Sequence, residues 1–313
     1  MTLLHRSSLL RPRHALLFTL LAPLLAIIVL RFRLPTGPLA PLAHGMTSTA
    51  SAAAAARPVP LVPRADAGEL PAMSDPFVLR PAAGVKHTGT VIWSHGLGDT
   101  AQGWKSFAQA LTRVQGLEGI KWVLTNAPKR FVTVNNAEMS SWYDIVRPNA
   151  PAAEEDTDGM AASVQQLEGL VKHEVDEEGV KEGRVVVGGF SQGGVISLLA
   201  GLTSPRQLGG VCVLSGFLGL THDDKIKSHL SPTALKTPIL WAHGTADSVI
   251  SFDRAQSGRR YLVDELKLDE GGKVDGGREG KFKFSAHAGM GHQLGSQEYE
   301  EVKAWLVERF ARS

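Results

Sequence analysis

Gly189-Phe190-Ser191-Gln192-Gly193 carries the strongest chemical signal in this chain of 313 residues. It reads G-x-S-x-G between a short β-branched run, Arg184 to Gly188, and an apolar, helix-compatible run, Val195 to Gly201. A strand, a sharp turn and a helix would present the Ser191 hydroxyl at the end of a sheet, beside a helix N-terminus that favours negative charge. Glycines flank the serine because a side chain beside so tight a turn would strike neighbouring backbone. A serine hydroxyl is a poor nucleophile at neutral pH. It needs a base, and the base needs an acid to orient it.

For a serine on such an elbow, the acid and then the histidine follow in chain order. Pro238 to His243 is strand-like and runs into Gly244-Thr245-Ala246-Asp247, which places Asp247 in the loop after that strand. Lys281 to Ala286 alternates like a half-buried strand and runs into Ala288-Gly289-Met290-Gly291-His292. Order and loop placement select Ser191, Asp247 and His292. His287 is a rival base, but it sits nearer the strand end and reads as structural. Asp253 is a rival acid, but it opens the next helix, where an acid serves as a cap or dipole partner. His243 reads as a packed or hydrogen-bonded loop residue.

Acyl transfer also needs donors aimed at a tetrahedral oxyanion. The strand Thr90 to Ser94 ends in His95-Gly96-Leu97-Gly98-Asp99-Thr100. The expected donors are the main-chain N–H groups of Leu97, in this loop, and of Gln192, directly after the nucleophile. The other reading of His95-Gly96 is a turn with no catalytic duty.

Three loops meet at one end of a sheet only if strands and helices alternate. Helical patterns at Gly103 to Val114, Met160 to Val175, Phe252 to Leu268 and Gln297 to Phe310 separate the apolar strands. This predicts an α/β fold with a mostly parallel sheet covered by helices, in one catalytic domain over 74–313. Asp269 to Gly280 is polar and Gly-rich and reads as a mobile surface loop. Glu154-Glu155-Asp156 reads as a solvated helix entry rather than a metal site. The only cysteine, Cys212, lies in the strand-like run Gly210 to Leu214 and reads as a buried thiol. The histidines lack zinc-type spacing, so no metal or other cofactor is expected. Residues 1–73 hold seven Arg, no Lys and two acids, so a net charge of +2 for the chain becomes −3 for the remainder. A catalytic part with that charge gives no support to nucleic-acid binding.

Residues 1–73 form a leader. Ala15 to Leu30 is apolar and flanked by Arg11, Arg13, Arg31 and Arg33. It is shorter than the roughly 20 residues that span a bilayer and long for a signal-peptide core. A membrane anchor over 15–30, a cleaved targeting segment and an upstream extension absent from the working protein all remain open. From Pro35 to Pro71 the composition predicts a disordered linker. Met73 precedes the first core strand, and nothing before it is expected to be needed to build the domain.

Together, His95-Gly96-Leu97-Gly98-Asp99-Thr100, Asn126-Ala127-Pro128, Ser141-Trp142-Tyr143-Asp144, Gly188 to Gly194, Leu214-Ser215-Gly216 and Gly289-Met290-Gly291-His292 resemble the acyl-protein thioesterase and lysophospholipase family of serine hydrolases. The resemblance covers roughly 76–313. It implies an α/β-hydrolase fold with helices on both faces and hydrolysis of long-chain acyl thioesters on S-acylated proteins. The alternative activity is that of a lysophospholipase or general carboxylesterase. It also implies a cytoplasmic catalytic domain, the triad Ser191, Asp247 and His292, and oxyanion donors from Leu97 and Gln192. By the resemblance, the segment Arg130 to Ser141 would line an acyl channel; the other reading is an ordinary loop or hairpin with buried aromatics. Met139 and Trp142, placed between the two halves of the site, would touch the acyl chain, and core packing is the other reading of Trp142. Two departures from the family pattern bear on tuning: Thr245-Ala246-Asp247-Ser248 replaces Asp-x-Asp-Pro, and Gln293 replaces the Ser that commonly follows the histidine.

Overall fold

A computed structural model describes residues 59–271 and 282–311, with the backbone of 273–274 and 278–279. The apolar leader segment 15–30 lies outside the described residues. Among the described residues, no helix is long and apolar enough to cross a membrane.

The sheet strands are β1 (Ser74–Leu79), β2 (Gly89–Ser94), β3 (Ile120–Asn126), β6 (Val185–Phe190), β7 (Gly210–Leu214), β8 (Ile239–Gly244) and β11 (Phe282–His287). A side hairpin pairs β4 (Lys129–Val132) with β5 (Ala137–Ser140), and a short one pairs β9 (Lys273–Val274) with β10 (Arg278–Glu279). The sheet order is β1-β3-β2-β6-β7-β8-β11. Only β1 runs antiparallel to its neighbour. β1 carries Pro76 within an irregular register, which an edge strand tolerates because a proline has no N–H to give a ladder. The central strands are buried on both faces and therefore read as continuous apolar runs.

Side chains alternate across the sheet into two cores. Ile92, Val187, Val213 and Trp241 join α2 (Thr157–Asp176), α3 (Gln192–Thr203) and α5 (Phe252–Arg260) on one face. Trp93, Val186, Cys212 and Leu240 join α1 (Lys105–Leu111) and α6 (Ser296–Ala311) on the other. The α/β expectation, with a mostly parallel sheet and helices on both faces, therefore holds. α3 is buried from Gln192 to Leu202, as suits a helix apolar all round. α5 ends at Arg260 and widens into a π turn, Tyr261–Glu265, short of the expected Leu268.

Two expectations need correction. Residues 59–71, read as part of a disordered linker, lie against the domain. Leu61 is 7% exposed and packs into the first core. The Val59 N–H donates to the Ser228 carbonyl at 3.1 Å, beside α4 (Lys225–His229). Arg64 donates from its main-chain N and its Nε to Asp158, at 2.9 and 2.8 Å. The Gln166 amide accepts from Met73 N–H and donates to the Pro71 carbonyl, each at 3.1 Å. One buried leucine and satisfied backbone groups hold down a segment whose composition signals only disorder.

The acidic triplet is not uniformly solvated. The Asp156 side chain caps α2 by accepting from Gly159 N–H at 2.8 Å. Glu155 is almost wholly buried, accepts from Leu220 N–H at 2.7 Å and pairs with Arg254 at 3.0 Å. The Arg254 guanidinium lies over the Phe217 ring, 3.6 Å from its centroid. Glu155 and Arg254 border a cleft of about 440 Å³ that contains none of the three triad candidates. The Gly-rich insertion 269–280 includes the β9–β10 pair, and the rest of its centre lies outside the described residues.

Candidate active site

The turn from β6 into α3 holds Ser191 at φ 55° and ψ −123°, a sparsely populated conformation for a residue with a side chain. Its N–H donates to the Leu214 carbonyl at 2.8 Å, which ties the elbow to the end of β7. A Cβ on Gly189 or Gly193 would lie inside contact distance of the Ser94 carbonyl. The flanking glycines are therefore required by the close approach of β2, as the motif implied.

The three candidate side chains meet. Ser191 Oγ lies 2.9 Å from His292 Nε2, and His292 Nδ1 lies 2.7 Å from Asp247 Oδ2. With Asp247 ionised, Nδ1 carries the proton and Nε2 is the acceptor for the serine. The other carboxylate oxygen, Oδ1, accepts from the Val249 and Ile250 N–H groups, each at 2.9 Å. Burial pushes the Asp247 carboxyl up. The hydrogen bond and charge of His292, with the Ile250 and Val249 N–H groups, outweigh burial and hold it below its ordinary value. The His292 ring also lies against Phe190, with ring centroids 4.8 Å apart.

The rivals sit elsewhere. His287 Nε2 lies 3.1 Å from Glu301, which also pairs with Lys283. Asp253 is in the first turn of α5, where Ser251 is the cap. His243 is fully buried behind the acid. Its Nε2–H donates to the Ile250 carbonyl at 2.9 Å and lies 3.5 Å from Asp247 Oδ2. Burial pushes this imidazole down more strongly than Ile250 and Asp247 pull it up, so it stays neutral.

The loop after β2 lies against the nucleophile: a Cβ on Gly96 would be 3.3 Å from Ser191 Cβ. His95 locks this loop. Its Nε2 accepts from Ala127 N–H at 3.0 Å, which leaves the Nδ1 proton to donate to the Gly96 carbonyl at 2.7 Å. Gly98 N–H donates to the Ser140 carbonyl at 2.8 Å, joining the loop to β5. Among the described residues, no acceptor engages the main-chain N–H of Leu97 or of Gln192. The Gln192 side chain, unremarked in the sequence, accepts from Trp142 N–H at 3.1 Å and donates to the Tyr143 carbonyl at 2.9 Å.

Met139 and Trp142 separate. Met139 is half-buried, with its methyl 3.7 Å from where a Cβ on Gly98 would lie. Trp142 has no exposed surface, and its indole N–H donates to the His95 carbonyl at 2.8 Å. Of the two readings of Trp142, complete burial and the indole bond favour core packing: the ring fills the interior between the loop after β2 and α3.

Metal-type donors converge at His173, Glu174 and Glu178 among the described residues, at the opposite end of the sheet. Lys121 Nζ already lies 2.6 Å from Glu174 and 3.0 Å from Glu178 and meets their charge.

Ser191, His292 and Asp247 stand in one hydrogen-bonded line, an arrangement that can activate a serine for acyl transfer. Residues 75–306 match the model of the family described as Phospholipase/Carboxylesterase. The chain belongs to that family. It is a hydrolase of α/β-hydrolase fold. Acyl-protein thioesterase 1 of Yarrowia lipolytica is 38% identical over 231 residues, covering 74% of this chain and 96% of that protein. The protein of the same name from Schizosaccharomyces pombe is 41% identical over 185 residues, covering 59% of this chain and 80% of its own. Among solved structures, Arabidopsis thaliana SOBER1 superposes with a TM-score of 0.62 at 29% identity, covering 71% of this chain and 99% of that one. Zea mays acyl-protein thioesterase 2 gives 0.59 at 27% identity, covering 76% and 99%.

In this phospholipase/carboxylesterase family member, the unusual Thr245 has a visible use. Its Oγ1 accepts from Gly289 N–H at 2.9 Å, its N–H donates to the His287 carbonyl at 3.0 Å, and Ala246 N–H donates to the Met290 carbonyl at 3.0 Å. The acid loop and the base loop are thus stitched together before either reaches the serine.

Proposed function

We propose that the chain removes long-chain acyl groups from S-acylated proteins, with Ser191 as nucleophile, His292 as general base and acid, and Asp247 as orienting acid. The observation that carries this reading is the line Ser191 Oγ–His292 Nε2, His292 Nδ1–Asp247 Oδ2, at 2.9 and 2.7 Å. His292 Nε2 takes the serine proton as Oγ bonds to the thioester carbonyl carbon. Leu97 and Gln192 N–H groups receive the oxyanion, and one such donor is worth about 3 to 4 kcal/mol of barrier. As the tetrahedral species collapses, the carbon–sulfur bond breaks and His292 gives its proton to the leaving cysteine thiolate. A water molecule then loses a proton to His292 and attacks the acyl-Ser191 carbonyl. Its collapse frees the fatty acid and returns the proton to Oγ.

Met139 is the proposed contact for the start of the acyl chain, because it borders the oxyanion loop and keeps exposed surface. Each methylene buried from water contributes about 0.8 kcal/mol, so a long chain can supply much of the binding energy. The test compares turnover of a palmitoyl-cysteine peptide, a lysophospholipid and a short-chain ester, with Ser191→Ala as control. Preference for the thioester, lost in the control, supports the proposal. Preference for the lipid or short ester moves the function to lysophospholipase or carboxylesterase.

A further inference from the structure

Behind the triad lies a carboxyl group that the mechanism above does not use. Glu298, in the first turn of α6, has no exposed surface. Its Oε2 accepts from the Gly295 N–H at 3.3 Å, three residues after His292. Its Oε1 is buried with no hydrogen-bond partner among the described residues. No Lys or Arg pairs with it there. The ionisable groups that act on it or on which it acts are Asp247, from the loop after β8, Glu301, one turn along its own helix, and Cys212 of β7. The Lys283 and His287 side chains of β11 are engaged with Glu301.

We infer that Glu298 is a positioning residue for His292: its buried carboxyl accepts the Gly295 N–H and so fastens the loop from His292 to Gly295 onto the first turn of α6. This rests on the reading of His292 as the base. A neutral carboxyl at this position satisfies the Gly295 N–H without burying a charge beside Asp247. An ionised one leaves Oε1 charged, buried and unpartnered, which a protein interior resists. Burial first, then the charges of Glu301 and Asp247, push this carboxyl up to about 8, against the Gly295 N–H. Above that pH the charge draws the first turn of α6 toward water, and Gly295 and His292 move with it.

The test follows the rate at which a fluorophosphonate labels Ser191, which reads the base without regard to the natural acyl donor. It compares wild type, Glu298→Gln and Glu298→Ala across the range from about pH 6 to about pH 10, with the KM for a short thioester measured alongside. Wild type is expected to lose labelling rate several-fold above about pH 8. Glu298→Ala is expected to label about tenfold more slowly at neutral pH with KM little changed. Glu298→Gln keeps the acceptor and cannot ionise, so it should restore the neutral rate and hold it through the alkaline range. A wild-type profile with no alkaline fall, a Glu298→Gln profile that falls like wild type, or a Glu298→Ala protein that labels as fast as wild type overturns the inference. If Glu298→Ala does not fold, the Glu298→Gln profile decides alone. A wild-type protein that labels but leaves a palmitoyl-cysteine peptide intact removes the proposed substrate and leaves this inference standing.

Discussion

Gln192 and Trp142 hold each other in place: the Gln192 side-chain oxygen accepts from Trp142 N–H at 3.1 Å, and the Trp142 indole in turn donates to the His95 carbonyl at 2.8 Å. Gln192 is thereby connected to the start of the loop after β2. Gln192→Ala keeps the main-chain donor but frees the backbone around it. Each hydrogen bond lost is worth about 0.5–1.5 kcal/mol, so kcat should fall about tenfold, with KM little changed. Trp142→Phe should act in the same direction. Steady-state kinetics on acyl donors of several lengths check this; a change in chain-length preference from either variant would return Trp142 to the substrate's path.

Met139 should behave differently. Met139→Asp places a charge where the first methylenes are proposed to lie. If two methylenes lose their cover at about 0.8 kcal/mol each, KM for a palmitoyl donor rises roughly tenfold while an acetyl donor is nearly unaffected. Equal effects on both donors would remove Met139 from the acyl site.

Asp247→Asn keeps the size of the acid but disfavours the tautomer that serves Ser191. A fall in kcat of about 10⁴ is expected, as in other Ser-His-Asp hydrolases. Because the folded protein holds the Asp247 carboxyl below its ordinary value, its stabilising contribution is complete above the unfolded pKa and disappears as pH falls through the lower, folded one. The melting temperature of wild type should therefore drop more steeply below about pH 4 than that of Asp247→Asn. Parallel melting curves through that range would contradict the assigned shift.

The segment before β1 contributes to stability. Leu61 leaves the first core if the chain starts at 74, and burial of a leucine side chain is worth about 1.5–3 kcal/mol. A chain starting at 59 should be more stable than one starting at 74 by that order, and Leu61→Ala in the longer chain should reproduce most of the difference. Urea unfolding of the three proteins measures it.

Much of the architecture could be read from apolar runs bounded by glycine or polar residues. β7 matches its expected limits, Gly210 to Leu214, because a strand buried on both faces leaves an uninterrupted signature. Ser191, Asp247 and His292 were legible because each stands in a loop directly after a strand. Burial of charged residues was not legible. Glu155 and Glu298 look like any acid near a helix start, and only the three-dimensional neighbours reveal that one meets Arg254 and the other Gly295. Trp142 stayed open between lining and packing because a large aromatic between two halves of a site fits either; its full burial and its indole bond to the His95 carbonyl favour packing. The docked segment 59–73 was missed because one leucine among prolines and alanines carries no periodicity.

The anchoring of Val59 beside Ser228 also fixes a side of the molecule. Val59 lies next to α4, on the face of the sheet covered by α2, α3 and α5. A fluorophore or surface tether attached at residue 59 would report from that side. A probe on the outer surface of α6 would report from the opposite one, giving a ready-made pair for measuring which way the enzyme faces when it meets an acylated protein.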